Sequence, residues 1–182
     1  IFTPLAIIGG VFYIVHHIIV KTNLFLISGL TYQLASTHEL KAMGGFYRQR
    51  PWLALLFLVP ALSLAGLPPL SGFFAKFIVI KAGVEAGSWW AVGFGLLVGL
   101  LTLFSMIKIW AEVFWKRPAE TDPPIDLTGK LSAWMLSPVI MLAVITVAIG
   151  LYGEPLYQLA EVAANQLLNP QGYIDAVLGG VI

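Results

Sequence analysis

Tyr13, His17 and Lys21 fall at i, i+4 and i+8 of one apolar run, a spacing that stacks three proton-handling groups along one face of a helix. A neutral imidazole accepts on one nitrogen and donates from the other. A lysine desolvated in a bundle can load and release a proton in the working pH range, so the stripe is suited to relaying protons. The structural alternative is a Lys21 held by a carboxylate from elsewhere, locking helices together. His16 points about a third of a turn off the stripe and is expected to pack or to make a hydrogen bond.

Lys76 makes the stronger statement. It sits between two stretches that read as membrane-buried, and the residues before it, Gly66-Leu67-Pro68-Pro69-Leu70-Ser71-Gly72-Phe73-Phe74-Ala75, cannot be one regular helix. A charge at bilayer depth is costly, and a Gly/Pro break frees backbone carbonyls that protein or water must satisfy. Gly66, Pro68, Pro69 and Gly72 are therefore expected to make a helix discontinuous, with Lys76 a functional group beside unwound backbone and water. Lys81 can snorkel to the interface and pair with Glu85 at i+4. Lys108 and Glu112, also i, i+4, read either as a snorkelling pair near a helix end or as the exit of a proton path.

Composition sets the frame for these groups. The 182 residues are 59% hydrophobic and only 10% charged, with mean hydropathy +0.89, the profile of an integral membrane protein. A formal net charge of +1 leaves no electrostatic footprint for nucleic acid. Cysteine is absent, which removes iron–sulfur clusters, thiolate zinc sites and disulfides together. The three histidines, two of them adjacent and His38 in a polar loop with Glu39 and Lys41, give no metal-ligand spacing. No metal, cofactor or nucleophile–base set is expected, and hence no enzyme. The chain opens at Ile1 inside apolar material, which reads as the C-terminal part of something longer.

The fold expected is all-α and membrane-integral, with about five transmembrane helices over about 5–34, 52–66, 70–86, 89–115 and 131–153. The first would be roughly 45 Å long as a straight helix. Gly9-Gly10 near its start suit an entering loop or bend, and Gly93, Gly95 and Gly99 would permit close helix packing. Trp89, Trp90 and Trp115 read as interfacial belt residues, and 116–130, with Pro118, Pro123 and Pro124, as an exposed loop. Residues 1–154 form the membrane part and 155–182 an amphipathic interfacial tail, its apolar face made by Leu156, Leu159, Val162, Ala163 and Leu167. Basic residues in the two polar loops tie, so orientation is left open.

Two segments carry a resemblance: Val15-His16-His17-Ile18-Ile19-Val20-Lys21-Thr22-Asn23-Leu24-Phe25-Leu26, and Ala65 through Phe77 around the Gly-Leu-Pro-Pro break. They resemble the antiporter-like subunits shared by multisubunit Mrp sodium/proton antiporters and the membrane arm of respiratory complex I. Phe104-Ser105-Met106-Ile107-Lys108-Ile109-Trp110 and the tail Asn169-Pro170-Gln171-Gly172-Tyr173-Ile174 lean toward the D-type branch of the Mrp antiporters. The resemblance implies a fragment of a fold of about fourteen helices, here the last five. It also implies that Lys21 matches a mid-membrane lysine of the tenth helix, His17 the histidine one turn before it, and Lys76 the lysine of the broken twelfth. Together these would form an outward half-channel for protons, exchanged for sodium in a plasma-membrane hetero-oligomer, bacterial or archaeal. The rivals are a proton-pumping subunit of complex I or a membrane-bound hydrogenase, and a non-transporting scaffold whose charges only lock subunits.

Overall fold

The structure, a computed structural model, describes residues 1–117 and 129–179. The prolines of the expected loop, Pro118, Pro123 and Pro124, lie outside the described residues. Helices α1 (Pro4–Ala35), α2 (Phe46–Gln49), α3 (Pro51–Ala65), α4 (Ser71–Glu85), α5 (Trp89–Trp110), α6 (Ala133–Leu151), α7 (Glu154–Leu168) and α8 (Gln171–Leu178) follow in order, and no strand occurs among the described residues. Three are long and apolar enough to cross a membrane: α1, α5 with its continuation to Trp115, and α6. Helices α3 and α4 have 15 residues each, roughly 22 Å apiece.

Helix α1 starts where Thr3 accepts a hydrogen bond from the Ala6 amide and Pro4 occupies the first turn. It runs straight through Gly9-Gly10, so these are not a loop; Gly9 lets α4 approach, since a Cβ there would sit 3.0 Å from Ile78. Its buried face is His16, Val20, Asn23, Ile27, Leu30 and Leu34, at helical spacing. One apolar cluster gathers Ile27, Leu30 and Leu34 with Leu53, Phe57, Phe114 and Val139. A second, at the other end of α1, gathers Ile8 and Phe12 with Ala75, Ile78, Ala160 and Ala164.

The break falls wholly between α3 and α4, and α4 itself is regular. Gly66, at φ 93°, ends α3: its amide reaches the Ser63 carbonyl at 2.9 Å, and the Leu67 amide reaches Leu62 at 3.1 Å. The Pro68–Pro69 peptide is cis, and α4 begins at Ser71. The C-terminal end of α6 rests on this loop, because a Cβ on Gly150 would run into the Pro69 carbonyl and come within 2.8 Å of Leu70 Cα.

Two expectations need correction. Helix α5 has no buried residue, and Gly93 and Gly95 have nothing within 4 Å of a would-be Cβ, so only Gly99 faces the interior. Lys108 and Glu112 make no ion pair among the described residues; the helix widens to a π turn over Ala111–Trp115, which holds Glu112 and closes on the Lys116 amide. Glu112 instead meets Lys116 at 3.2 Å, with the acid N-terminal, the favourable order. Helix α7, in the expected amphipathic tail, packs on α1 through Ala160 and Ala164, whose small side chains admit a close backbone approach, and leaves Leu159, Val162 and Leu167 of the expected apolar face exposed.

Candidate functional site

The half-buried Lys76 leaves α4 one turn after its start and reaches back across the break. Its Nζ donates to the Ala65 carbonyl at 2.8 Å, the last residue of α3. That carbonyl is among those the Schellman closure at Gly66 leaves over, and it lies at the negative end of α3, where an ammonium is favoured. A Cβ on Gly66 would come within 2.8 Å of Lys76 Cδ, and one on Gly99 within 3.5 Å of Nζ. The lysine thus threads between two glycines, one at the break and one on α5.

Helices α1 and α4 run antiparallel, since Gly9 abuts Ile78 and Val79 while His16 meets Ser71 and Gly72. Lys76 is therefore level with about residue 12 of α1, and Lys21 lies roughly 13 Å further along the axis. The stripe meets Lys76 at its Tyr13 end. Tyr13 and Lys76 line one cleft of about 490 Å³ together with Gly10, Val79, Phe94 and Val98. The Tyr13 ring stacks on His17 at 5.7 Å between centroids and meets His16 edge-on at 6.0 Å. The order in space is Lys21, His17, Tyr13, Lys76. Lys21 is half-buried and takes no hydrogen bond or ion pair among the described residues.

Beside these, His16 packs and makes a hydrogen bond as expected, and its partners Ser71 and Ser63, with Asn23, are residues that the sequence reading gave no role. His16, Ser63 and Ser71 are almost fully buried and linked: His16 Nδ1 is 2.8 Å from Ser71 Oγ, which is 3.1 Å from Ser63 Oγ. Asn23, also buried, donates its amide to the Val139 carbonyl at 3.3 Å and accepts from the Ala143 amide at 3.2 Å, gripping one rung of α6. In the structure His16 and Asn23 share one buried face of α1 with Val20, Ile27, Leu30 and Leu34, a face that the nearly all-apolar sequence of the helix did not single out.

The remaining candidates lie apart. Lys81 and Glu85 form an exposed ion pair at 3.8 Å, Lys108 is exposed, and Glu112 is held by Lys116, whose Nζ also donates to the Lys41 carbonyl at 3.0 Å. His38 is exposed and stacks on Tyr32. Among the described residues no three His, Cys, Asp or Glu side chains cluster as a metal site would require. A charged lysine beside unwound backbone, next to a tyrosine–histidine stack, can hold and pass a proton.

The model of the family described as NADH:quinone oxidoreductase/Mrp antiporter, TM, matches residues 1–102, more than half of the chain. The chain belongs to this family. A relative from Alkalihalophilus pseudofirmus, named as the D-type subunit of a Na(+)/H(+) antiporter, is 45% identical over 179 residues, covering 98% of this chain and 36% of its own length. Among solved structures, the Mrp complex from Dietzia sp. DQ12-45-1b contains a chain that superposes with TM-score 0.88 at 32% identity, over 97% of this chain and 40% of that one. Respiratory complex I from Thermus thermophilus matches with TM-score 0.61 at 29% identity, over 85% and 35% respectively. The chain thus spans between about a third and two fifths of these three relatives. The family fold is that of a multi-pass membrane subunit, and the break, the lysines and the histidine pair all fall inside it.

Proposed function

We propose that this chain is the C-terminal part of a proton-translocating subunit of a multisubunit cation/proton antiporter, with sodium the cation exchanged and other antiporter subunits its partners. In this reading it is a transporter subunit rather than an enzyme, in the plasma membrane of a bacterium or archaeon. Residues 1–154 make its membrane helices and 155–182 its C-terminal amphipathic tail. Protons move along Lys21, His17 and Tyr13 to Lys76, whose ammonium caps α3 when charged and releases that carbonyl when neutral. The membrane potential drives the step, at about 2.3 kcal/mol per charge per 100 mV.

The observation that carries the reading is the Lys76 ammonium on the Ala65 carbonyl at the break, in a chain 45% identical to a sodium/proton antiporter subunit. A complex I-type proton-pumping subunit is the second reading, favoured by the Thermus thermophilus match; the higher TM-score of the Mrp structure, 0.88 against 0.61, puts it second. In membrane vesicles holding the complete complex, Lys76→Ala is expected to abolish sodium/proton exchange with the subunits still assembled. Exchange retained at the wild-type rate sinks the proposal. Loss of assembly in both Lys21→Gln and Lys76→Gln points instead to a scaffold.

A further inference from the structure

Three helices meet at His16. Its imidazole is 1% exposed, and its Nδ1 reaches Ser71, the first residue of α4, at 2.8 Å. Ser71 in turn reaches Ser63 of α3 at 3.1 Å, and the Gly72 amide donates to Ser63 Oγ at 3.2 Å. His16 Nε2 is buried and has no partner among the described residues. Gly72 makes room for the arrangement, since a Cβ there would strike the Ser63 carbonyl and come within 2.9 Å of His16 Cε1.

We propose that His16 is a positioning residue of the break: through Ser71 and Ser63 it fixes the first turn of α4 against α3, and so the reach of Lys76 to Ala65, leaving proton exchange to its neighbour His17. The proposal rests on the reading of Lys76 as a transport group. The two histidines, adjacent in sequence, differ in surroundings. His17 is half-exposed and stacked on Tyr13, whereas His16 is tied on one nitrogen to the helix that carries the lysine.

The serine pair anchors and does not conduct. The Gly72 N–H can only donate, so Ser63 Oγ always accepts at that end, and beyond Ser63 no titratable side chain is hydrogen-bonded to the pair among the described residues. In one arrangement Ser63 donates to Ser71 and Ser71 to Nδ1, with the imidazole hydrogen on Nε2. In the other, Nδ1–H donates to Ser71 and Ser71 to Ser63. Both hold α1, α3 and α4 together with a neutral imidazole; a proton taken up at Nε2 requires the second arrangement and makes the ring an imidazolium, and no titratable group follows the serines among the described residues. The titratable groups around His16 are Tyr13 and His17 on its own helix and Lys76 on α4, and α3 contributes only Ser63.

The test uses the complete complex in vesicles, with His16→Asn, His16→Leu, Ser71→Ala and the His16→Leu/Ser71→Ala double variant. Asparagine places an amide near the Nδ1 position and does not titrate. His16→Asn is expected to keep exchange within roughly twofold with an unchanged pH profile, while His16→Leu and Ser71→Ala each lose roughly fivefold or more, what one lost hydrogen bond is worth. The double variant should be no worse than the worse single, as for residues acting through one link. Amide hydrogen exchange over residues 66–74 should quicken in His16→Leu and Ser71→Ala but not in His16→Asn. A His16→Asn variant that loses exchange like His16→Leu, or shifts the pH profile, makes His16 a proton carrier and overturns the proposal, as do additive losses. If the wild-type complex exchanges no cation for protons, the functional reading fails, and protection over 66–74 still judges the His16 link.

Discussion

Lys76 closes the end of the helix before its own: its ammonium sits 2.8 Å from the Ala65 carbonyl, so the charge and the free backbone group answer each other's cost. Arginine preserves this bond but does not deprotonate in proteins. Lys76→Arg should therefore assemble and melt near the wild type while sodium/proton exchange in vesicles falls by an order of magnitude or more. Wild-type exchange in that variant would show that the charge matters and its release does not.

Tyr13 is the stripe member that shares a cleft with Lys76. Tyr13→Phe keeps the ring stacked on His17 and removes the hydroxyl. Exchange should drop by roughly tenfold with thermal stability unchanged, a loss in the lower range for a proton-transfer group. An unaffected rate would place the path elsewhere.

Two glycine substitutions should act in opposite directions. At Gly72 a methyl strikes the Ser63 carbonyl and His16, and overpacking of this kind costs about 1–3 kcal/mol. At Gly93, inside α5 with open space around it, alanine should stabilise by about 0.5–1 kcal/mol. Thermal unfolding of the purified complex in detergent distinguishes the two, and a Gly72→Ala that melts like the wild type would refute the close approach of α4 to α3.

Asn23→Leu removes both ends of the grip on α6 and leaves the Val139 carbonyl and the Ala143 amide to each other. Melting should drop by an amount equivalent to about 1–2 kcal/mol. Asn23→Asp, which keeps an acceptor but offers the Val139 carbonyl no donor, should be the worse of the two.

Glu112→Gln breaks the pair with Lys116, whose partners are each more than a third exposed. Exposed pairs contribute little, so stability should change by less than about 1 kcal/mol, and by less still at high salt. A large loss of exchange with unchanged melting would restore Glu112 to the proton path.

The break was legible because Gly66, Pro68 and Pro69 forbid a continuous helix whatever surrounds them. The helix lengths followed from apolar runs. Which side of α1 faces inward did not: the helix is apolar nearly all round, and periodicity gives a direction only when one face is polar. The i, i+4 spacing put Tyr13 and His17 close enough for their rings to stack, but could not tell that His16, one position away, is the histidine tied to α4. The order of the stripe relative to Lys76 depended on α1 and α4 being antiparallel, a property of their packing. The Lys108–Glu112 pairing failed because Lys116, four residues on the other side of the acid and in the favourable order, holds Glu112 at 3.2 Å, a competitor that the spacing from Lys108 alone does not show.

Gly150 against Pro69 and Asn23 on the Val139–Ala143 rung make α6 a strut wedged between α1 and the loop at the break. A displacement of that loop by even a methyl's width has to push the strut or leave it. Helix α6, which carries none of the residues of the proposed proton path, thus limits how far the loop that sets Lys76 can move.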